Sequence, residues 1–256
     1  MSQFYLPGSW AIEAKSDQLI YPIELDLVHH LRVRRIQNNE LFQVFDGLGN
    51  SAKAILVELN SKNGLIKLSE IRQNTENEPL YKISLAQGLA GGDKMDWIIE
   101  KAVEIGVKEI APLQCERSVV KLVSSQKEKA PSRAEKRHEH WRGIIQASCE
   151  QCERTILPIL QPLEDFHSYI TKAHSTQIKI LLSPNGHSPL IDFVSGLIPQ
   201  DMILAIGPEG GFSPAEESLA KANGYQILSL GKRVLRTETA GIVAITAVHT
   251  AWELRK

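Results

Sequence analysis

The spacing of apolar positions changes character near residue 75. Before it, Leu41–Phe45, Ala52–Leu59 and Leu65–Ile71 are short runs rich in branched and aromatic side chains, separated by turns at Asp46-Gly47 and Asn63-Gly64. Such runs read as the strands of a small β-barrel. A short helix over Leu25–Leu31 precedes them, closed by Arg32, Arg34 and Arg35. Polar residues from Gln73 to Glu78, ending at Pro79, read as a linker. Beyond it, strand and helix patterns alternate. Strands are predicted at Lys82–Gln87, Lys108–Leu113, Thr155–Leu160, Ile178–Leu182, Ile203–Ile206 and Tyr225–Leu230. Helices are predicted at Lys94–Ile105 and near 132–150, 163–173 and 189–196, with two more after residues 213 and 237. Alternation of this kind predicts an α/β domain with a parallel sheet covered on both faces. The expected organisation is a barrel over 1–72, a linker over 73–79 and an α/β domain over 80–256.

Two glycine-studded loops stand out in the last third, IGPEGGFSP at 206–214 and LGKRVLRTETAG at 230–241. Each leaves a short apolar run and enters a helix. Ser213 can cap the first helix, Pro214 suits its first turn, and Glu216 lies three residues after the cap, the spacing of a capping box. Asn223-Gly224 stops it. The final helix carries Ile242, Ile245, His249 and Trp252 on one stripe. Both loops therefore hang from the carboxyl ends of strands, where open α/β sheets build ligand sites. Glycines there also serve ordinary tight turns. A phosphate loop would need a lysine and then Ser or Thr after its last glycine, and here Phe212 follows Gly211. Glu209 would repel a phosphate but suits a ribose diol or a positively charged ligand. S-adenosylmethionine offers both.

Composition narrows the class. The chain has 256 residues, 43% of them hydrophobic, enough for a core in each of two parts. Its 29 basic residues nearly balance 30 acidic ones, so contact with nucleic acid must come from local patches. Three cysteines fit a reducing compartment. Neither a signal-peptide plan nor an 18-residue apolar run is found, and a cytoplasmic location is expected. Several local motifs carry no chemistry. Gly47-Leu48-Gly49 is followed by a strand instead of a helix, so it reads as a hairpin turn. Cys149 and Cys152 have no second pair for a metal. His138 and His140 lie about 200° apart around a helix, so no metal is expected. A nucleophile elbow is also lacking.

GPEGGFSPAEE followed by LGKRVLRTETAG resembles the carboxyl-terminal signature of the SPOUT methyltransferases, specifically the family that methylates nitrogen 3 of a uridine in small-subunit ribosomal RNA. The resemblance extends to DKMDWIIEKAVEIGV at 93–107, to the stretch at 112–118 and to EQCERTILPIL at 150–160. It implies a SPOUT-type parallel sheet with a carboxyl-terminal trefoil knot, preceded by a small PUA-like RNA-binding barrel. HLRVRRIQNNELFQVFDGLGN at 30–50 resembles the barrel's pattern. Two departures from the family stand out: Gln3 precedes Phe4 where the family usually has a basic residue before the first aromatic, and near Gly91, where the family often has a lysine, this chain has only glycine. S-adenosylmethionine is the implied cofactor, a homodimer the implied assembly, and small-subunit ribosomal RNA or the 30S particle the implied partner.

The candidate cofactor residues are Leu182, Gly207, Glu209, Gly210, Gly211, Leu230, Gly231, Leu235, Thr237 and Ala240. Arg236 is the candidate for steadying the uracil oxygens or a phosphate, because a guanidinium is always charged and offers paired donors. Glu238 or Glu209 could take the proton from nitrogen 3, although Glu238 also suits the first turn of a helix through the dipole alone. Arg32, Arg34, Arg35, Arg117 and Arg233 are candidate RNA contacts, and Lys121, Lys127, Lys129, Arg133, Lys136, Arg137 and Arg142 form a second basic cluster. The stripe of Ile242, Ile245 and Trp252 is either intrachain core, the commoner case, or a candidate dimer surface. Competing readings are an enzyme that binds a nucleotide phosphate, a non-catalytic RNA-binding module, and a methyltransferase acting on another RNA such as tRNA.

Overall fold

A computed structural model describes residues 2–13, 18–120, 133–172, 174 and 178–253. The chain divides into two compact units, Met1–Glu78 with Gln146–Leu157, and Pro79–Ile145 with Pro158–Lys256.

The first unit contains β1 (Gln3–Tyr5), α1 (Trp10–Glu13), β2 (Gln18–Ile23), α2 (Leu25–Val33), β3 (Leu41–Phe45), β4 (Asn50–Leu59) and β5 (Gly64–Gln73). Its five-stranded sheet has the order β1-β3-β4-β5-β2. Strand alternation sets the core. Phe42 and Val44 of β3 point inward with Ala54 and Leu56 of β4 and Ile66 and Leu68 of β5, and all six are buried. Helix α2 closes this core through Leu27, Val28 and Leu31. Strands β1 and β2 lie outside the sequence-based expectation. Three residues are too few to show a period, and Pro22 in β2 is tolerated because that strand lies at a sheet edge.

The segment after Ile145 also belongs to this first unit. The Gln3 amide donates to the Arg154 carbonyl at 2.9 Å, and the Gly49 and Leu157 amides bond to the Thr155 and Gly47 carbonyls, each at 3.0 Å. The predicted strand over Thr155–Leu160 is therefore corrected. Its first half pairs with the Gly47–Gly49 turn, and only Ile159–Leu160 joins the α/β sheet. Arg154 holds the segment to the linker through a two-pronged pair with Glu78, Nε–Oε1 2.9 Å and Nη2–Oε2 2.8 Å. Both side chains are 5% exposed, and removing one partner of such a buried pair typically costs about 3–5 kcal/mol. Cys149 is buried in the same segment, and burial pushes its thiol up to about 12. It is a packing residue at neutral pH.

The second unit runs β6 (Ile83–Gly88), α3 (Lys94–Glu104), β7 (Glu109–Gln114), α4 (Arg133–Cys152, as far as Ile145), β8 (Ile159–Leu160), β9 (Glu164–Asp165), α5 (Phe166–Thr171), β10 (Ile178–Leu182), β11 (Ser188–Pro189), α6 (Leu190–Ser195), β12 (Met202–Ile206), α7 (Pro214–Ala222), β13 (Gln226–Ser229) and α8 (Thr237–Glu253). The strand order is β11-β13-β10-β12-β6-β7-β8, with β9 also on β7. Every pairing in it is parallel. Helices α3 and α6 pack on α8, and α5 packs on α7. The inner strands β6, β10 and β12 are buried nearly throughout, as a sheet covered on both sides requires. Ala86, Ala111 and Ala205 share one core with Phe166, Tyr169 and Phe212, while Leu85 meets α8 at Gly241, where a Cβ would lie 3.8 Å from its methyl. Helix α5 starts later than its pattern suggests, because Asp165 caps it by accepting from the Ser168 amide at 2.9 Å.

The apolar stripe of α8 proves to be intrachain core. Ile245 and Trp252 are 0% and 2% exposed, and the Trp252 indole donates to the Val194 carbonyl at 3.0 Å. Of the two readings of the stripe, intrachain core holds for these two residues and a dimer surface does not, while Ile242 is half-buried. Helix α4 is anchored on α3 through Asp96, which accepts from the Trp141 indole at 3.0 Å and faces His140 Nε2 at 2.7 Å. Lys121, Lys127 and Lys129 of the predicted basic cluster lie outside the described residues, whereas Arg133, Lys136 and Arg142 are exposed. Among the described residues no group of His, Cys, Asp or Glu could hold a metal, and no helix is long and apolar enough to cross a membrane.

Candidate active site at two strand ends

Strand β12 delivers the first loop to the carboxyl edge of the sheet between β10 and β6. The loop is braced by its own chain. Gly211 turns back onto the Pro208 carbonyl at 2.8 Å. Ser213 then starts α7 with a complete capping box, accepting from the Glu216 amide while Glu216 accepts from the Ser213 amide. Arg117 Nη1 donates to the Gly210 and Phe212 carbonyls at 3.1 and 3.2 Å. A Cβ on Gly210 would lie 2.9 Å from that of Arg117, so the glycine there makes room for a neighbouring side chain.

Glu209 takes part in the same bracing. Its Oε1 accepts from the Gly91 amide and from Lys94 Nζ, both at 2.9 Å. Burial alone would raise its carboxyl, but these two donors outweigh it and hold the group below its ordinary value. A carboxylate so held is a poor proton acceptor.

The second loop is built differently. Leu182, Ser183, Pro184, Leu230, Gly231, Arg233, Leu235 and Ala240 surround one cleft. Of the predicted cofactor residues, Leu182, Leu230, Gly231, Leu235 and Ala240 meet here. Gly231 has φ +99° and no atom within 4 Å of a Cβ position, so its surface is open space. Gly207, Glu209, Gly210 and Gly211 do not line this cleft, and neither does Thr237. The Thr237 hydroxyl is buried, donating to the Gly207 carbonyl at 2.6 Å and accepting from the Gln87 amide at 2.9 Å. It ties the two loops together. Ser183 and Pro184 were missed as lining residues. The signal for them is Ser-Pro-Asn-Gly at 183–186, a turn at the carboxyl end of β10.

The charged candidates lie around this edge and in the first unit. Arg236 is 84% exposed, and Glu238 Oε1 lies 4.0 Å from its Nη1. Glu238 Oε2 is buried without a hydrogen-bond partner. Arg233 is exposed at the cleft, and Arg34 and Arg35 are exposed at the end of α2. Arg32 gives one donor to the Asn60 carbonyl at 2.8 Å.

Two family models match the chain, an RNA methyltransferase domain over residues 76–249 and an RNA methyltransferase PUA domain over residues 24–69. The class is therefore an RNA methyltransferase domain preceded by a PUA domain. The chain is 33% identical to a ribosomal RNA small subunit methyltransferase E of Synechocystis over 88% of this chain and 71% of that protein. It is 30% identical to the Bacillus subtilis protein of the same name, over 89% and 88%. A crystal structure of the Neisseria gonorrhoeae ribosomal RNA small subunit methyltransferase E bound to S-adenosyl methionine is similar, with a TM-score of 0.85 and 34% identity over 98% of both chains. The chain belongs to the ribosomal RNA small subunit methyltransferase E family.

Proposed function

We propose that this chain methylates nitrogen 3 of a uridine in small-subunit ribosomal RNA, using S-adenosylmethionine. The observation that carries the reading is the meeting of Leu182, Leu230, Gly231, Leu235 and Ala240 around one cleft at the strand ends, in a chain of this family. The residues fit such a cofactor. Leu182, Leu230 and Leu235 offer apolar walls to a flat base, and the open backbone at Gly231 allows close approach. When bound, S-adenosylmethionine supplies an electrophilic methyl on a sulfonium.

Nitrogen 3 of uridine is a poor nucleophile until its proton leaves, so the chain must favour the anion and hold it in line. Arg236 reaches from the rim of the second loop with a permanent charge and paired donors for the uracil oxygens. Of the two carboxylates, Glu209 is committed to Gly91 and Lys94, which leaves Glu238, beside Arg236, as the proposed proton acceptor. The exposed Arg34, Arg35 and Arg233 position RNA phosphates without reading sequence.

The reading includes a knotted tail, a homodimer and a cytoplasmic location. Support for the knot comes from the family to which the chain belongs. Support for the dimer comes from the size of the cleft, about 60 Å³, far below the ~300 Å³ at which ligand pockets begin. A second copy would complete it, and sedimentation at micromolar concentration should give twice the chain mass. The function is tested by mass spectrometry of ribosomal RNA from cells lacking the protein. Loss of one 3-methyluridine from small-subunit RNA is expected, and an unchanged modification profile would refute it.

A further inference from the structure

The first unit holds a second cavity, of about 440 Å³, lined in part by Tyr5, Pro7, Tyr21, Pro22, Glu24 and Asp26. It lies where the five-stranded sheet ends on both sides, since Tyr5 belongs to edge strand β1 and Tyr21 and Pro22 to edge strand β2. Its walls are fixed. The Tyr5 ring packs on Phe45 with centroids 5.5 Å apart and against Gly47, where a Cβ would lie 3.1 Å from the ring. Glu150, with a side chain 14% exposed, organises the polar wall. Its Oε1 accepts from the Tyr5 amide at 3.0 Å and from the Gln146 side chain at 3.2 Å, and it lies 3.8 Å from His30 Nδ1.

The charge of the lining selects the ligand. Glu24 and Asp26 are exposed at the start of α2, and the histidine of the lining, His30, faces the carboxylate of Glu150, so an anionic group such as an RNA phosphate is repelled, while a cation is drawn in. Two tyrosine rings beside two carboxylates match a guanidinium better than an ammonium. A guanidinium is flat, stacks on aromatic faces and offers a fork of donors to a carboxylate. Pro7 and Pro22 provide apolar surface for the methylene stem. We propose that this cavity binds an arginine side chain presented by a basic peptide segment of a partner protein. Arg32, Arg34 and Arg35 lie at the opposite end of α2, so one helix carries an end that suits peptide cations and an end that suits phosphates. The inference is independent of the methyl-transfer reading.

The test uses the full chain and a fluorescent nonapeptide carrying three arginines in a Gly-Ser background, read by polarisation. The control peptide has citrulline, the neutral isostere, at those three positions. The arginine peptide should bind at least about tenfold more tightly than the citrulline peptide. That preference should vanish in Glu24→Gln/Asp26→Asn and persist in Glu135→Gln/Glu139→Gln, which removes the same charge from α4. Both variants should stay folded, because all four positions are exposed and a surface charge contributes at most about 1 kcal/mol. Equal binding of the two peptides, or a preference that survives Glu24→Gln/Asp26→Asn, would overturn the assignment. So would a single-stranded oligoribonucleotide that binds the parent and loses affinity in Glu24→Gln/Asp26→Asn, since it would identify the occupant as RNA. Methyl transfer by Glu24→Gln/Asp26→Asn on protein-free ribosomal RNA should match the parent, whatever the peptide result.

Discussion

Glu209 and Arg117 tie the first glycine loop to its surroundings through four hydrogen bonds of 2.9 to 3.2 Å, whereas Lys232, Arg233, Val234 and Arg236 of the second loop all stand exposed. The glycines differ in the same sense. Gly210 is a glycine because Arg117 fills the space where a side chain would go, and Gly231 because the chain turns through φ +99° beside empty space. Glycine content alone therefore does not mark a ligand site. On the reading proposed above, the braced loop works as a frame and the open loop beside it receives the ligand. Thr237 joins them by holding the Gly207 carbonyl from the first turn of α8.

The largest effect is expected from the open loop. Arg236→Ala should cut methyl transfer about a hundredfold or more, as loss of a donor to a developing anion typically does, with the melting temperature unchanged because the side chain is 84% exposed. Single-turnover kinetics would check it, and a rate within a few fold of the parent would remove Arg236 from the chemistry. The frame should respond in stability. Thr237→Val strands the Gly207 carbonyl and the Gln87 amide and should lower unfolding free energy by about 1–3 kcal/mol, measured by urea denaturation. Gly210→Ala should destabilise by a similar ~1–3 kcal/mol through overpacking on Arg117.

Glu209 sharpens the contrast by its pH dependence. Its folded-state carboxyl lies below the ordinary value of 4.5, so its contribution is present above that value and is lost as pH falls through the folded one. Thermal melts should show the parent losing more stability than Glu209→Gln as pH is lowered from neutrality through this range. Parallel melting curves would contradict the bracing role. The smallest effect is expected from the phosphate contacts of the first unit. Neutralising Arg34 and Arg35 should lower the slope of log affinity for RNA against log salt by about two, roughly one per lost contact. Adding Arg32→Gln should contribute less, because one of its donors already serves Asn60.

Much of this was legible in the sequence. The capping box at Ser213 and Glu216, the strand endings at Leu182 and Ile206, and the alternation of strand and helix follow from local rules that tertiary packing did not override. The roles of Glu209, Gly210, Arg117 and Thr237 were not legible, because each depends on partners 30 to 118 residues away. The same holds for Gln146–Leu157, whose place beside β1 is set by Gln3 and Glu78. The stripe on α8 shows a period but not which surface covers it, and Val194 settles that only in three dimensions.

The central claim is that the open cleft, and not the braced loop, receives the cofactor. Ala240 lines that cleft from the first turn of α8, where leucine is compatible with the helix. Calorimetric titration of S-adenosylhomocysteine into Ala240→Leu should show affinity reduced by about a hundredfold or more, some 2.7 kcal/mol, in a protein that melts like the parent. Unchanged affinity in that folded variant would contradict the claim.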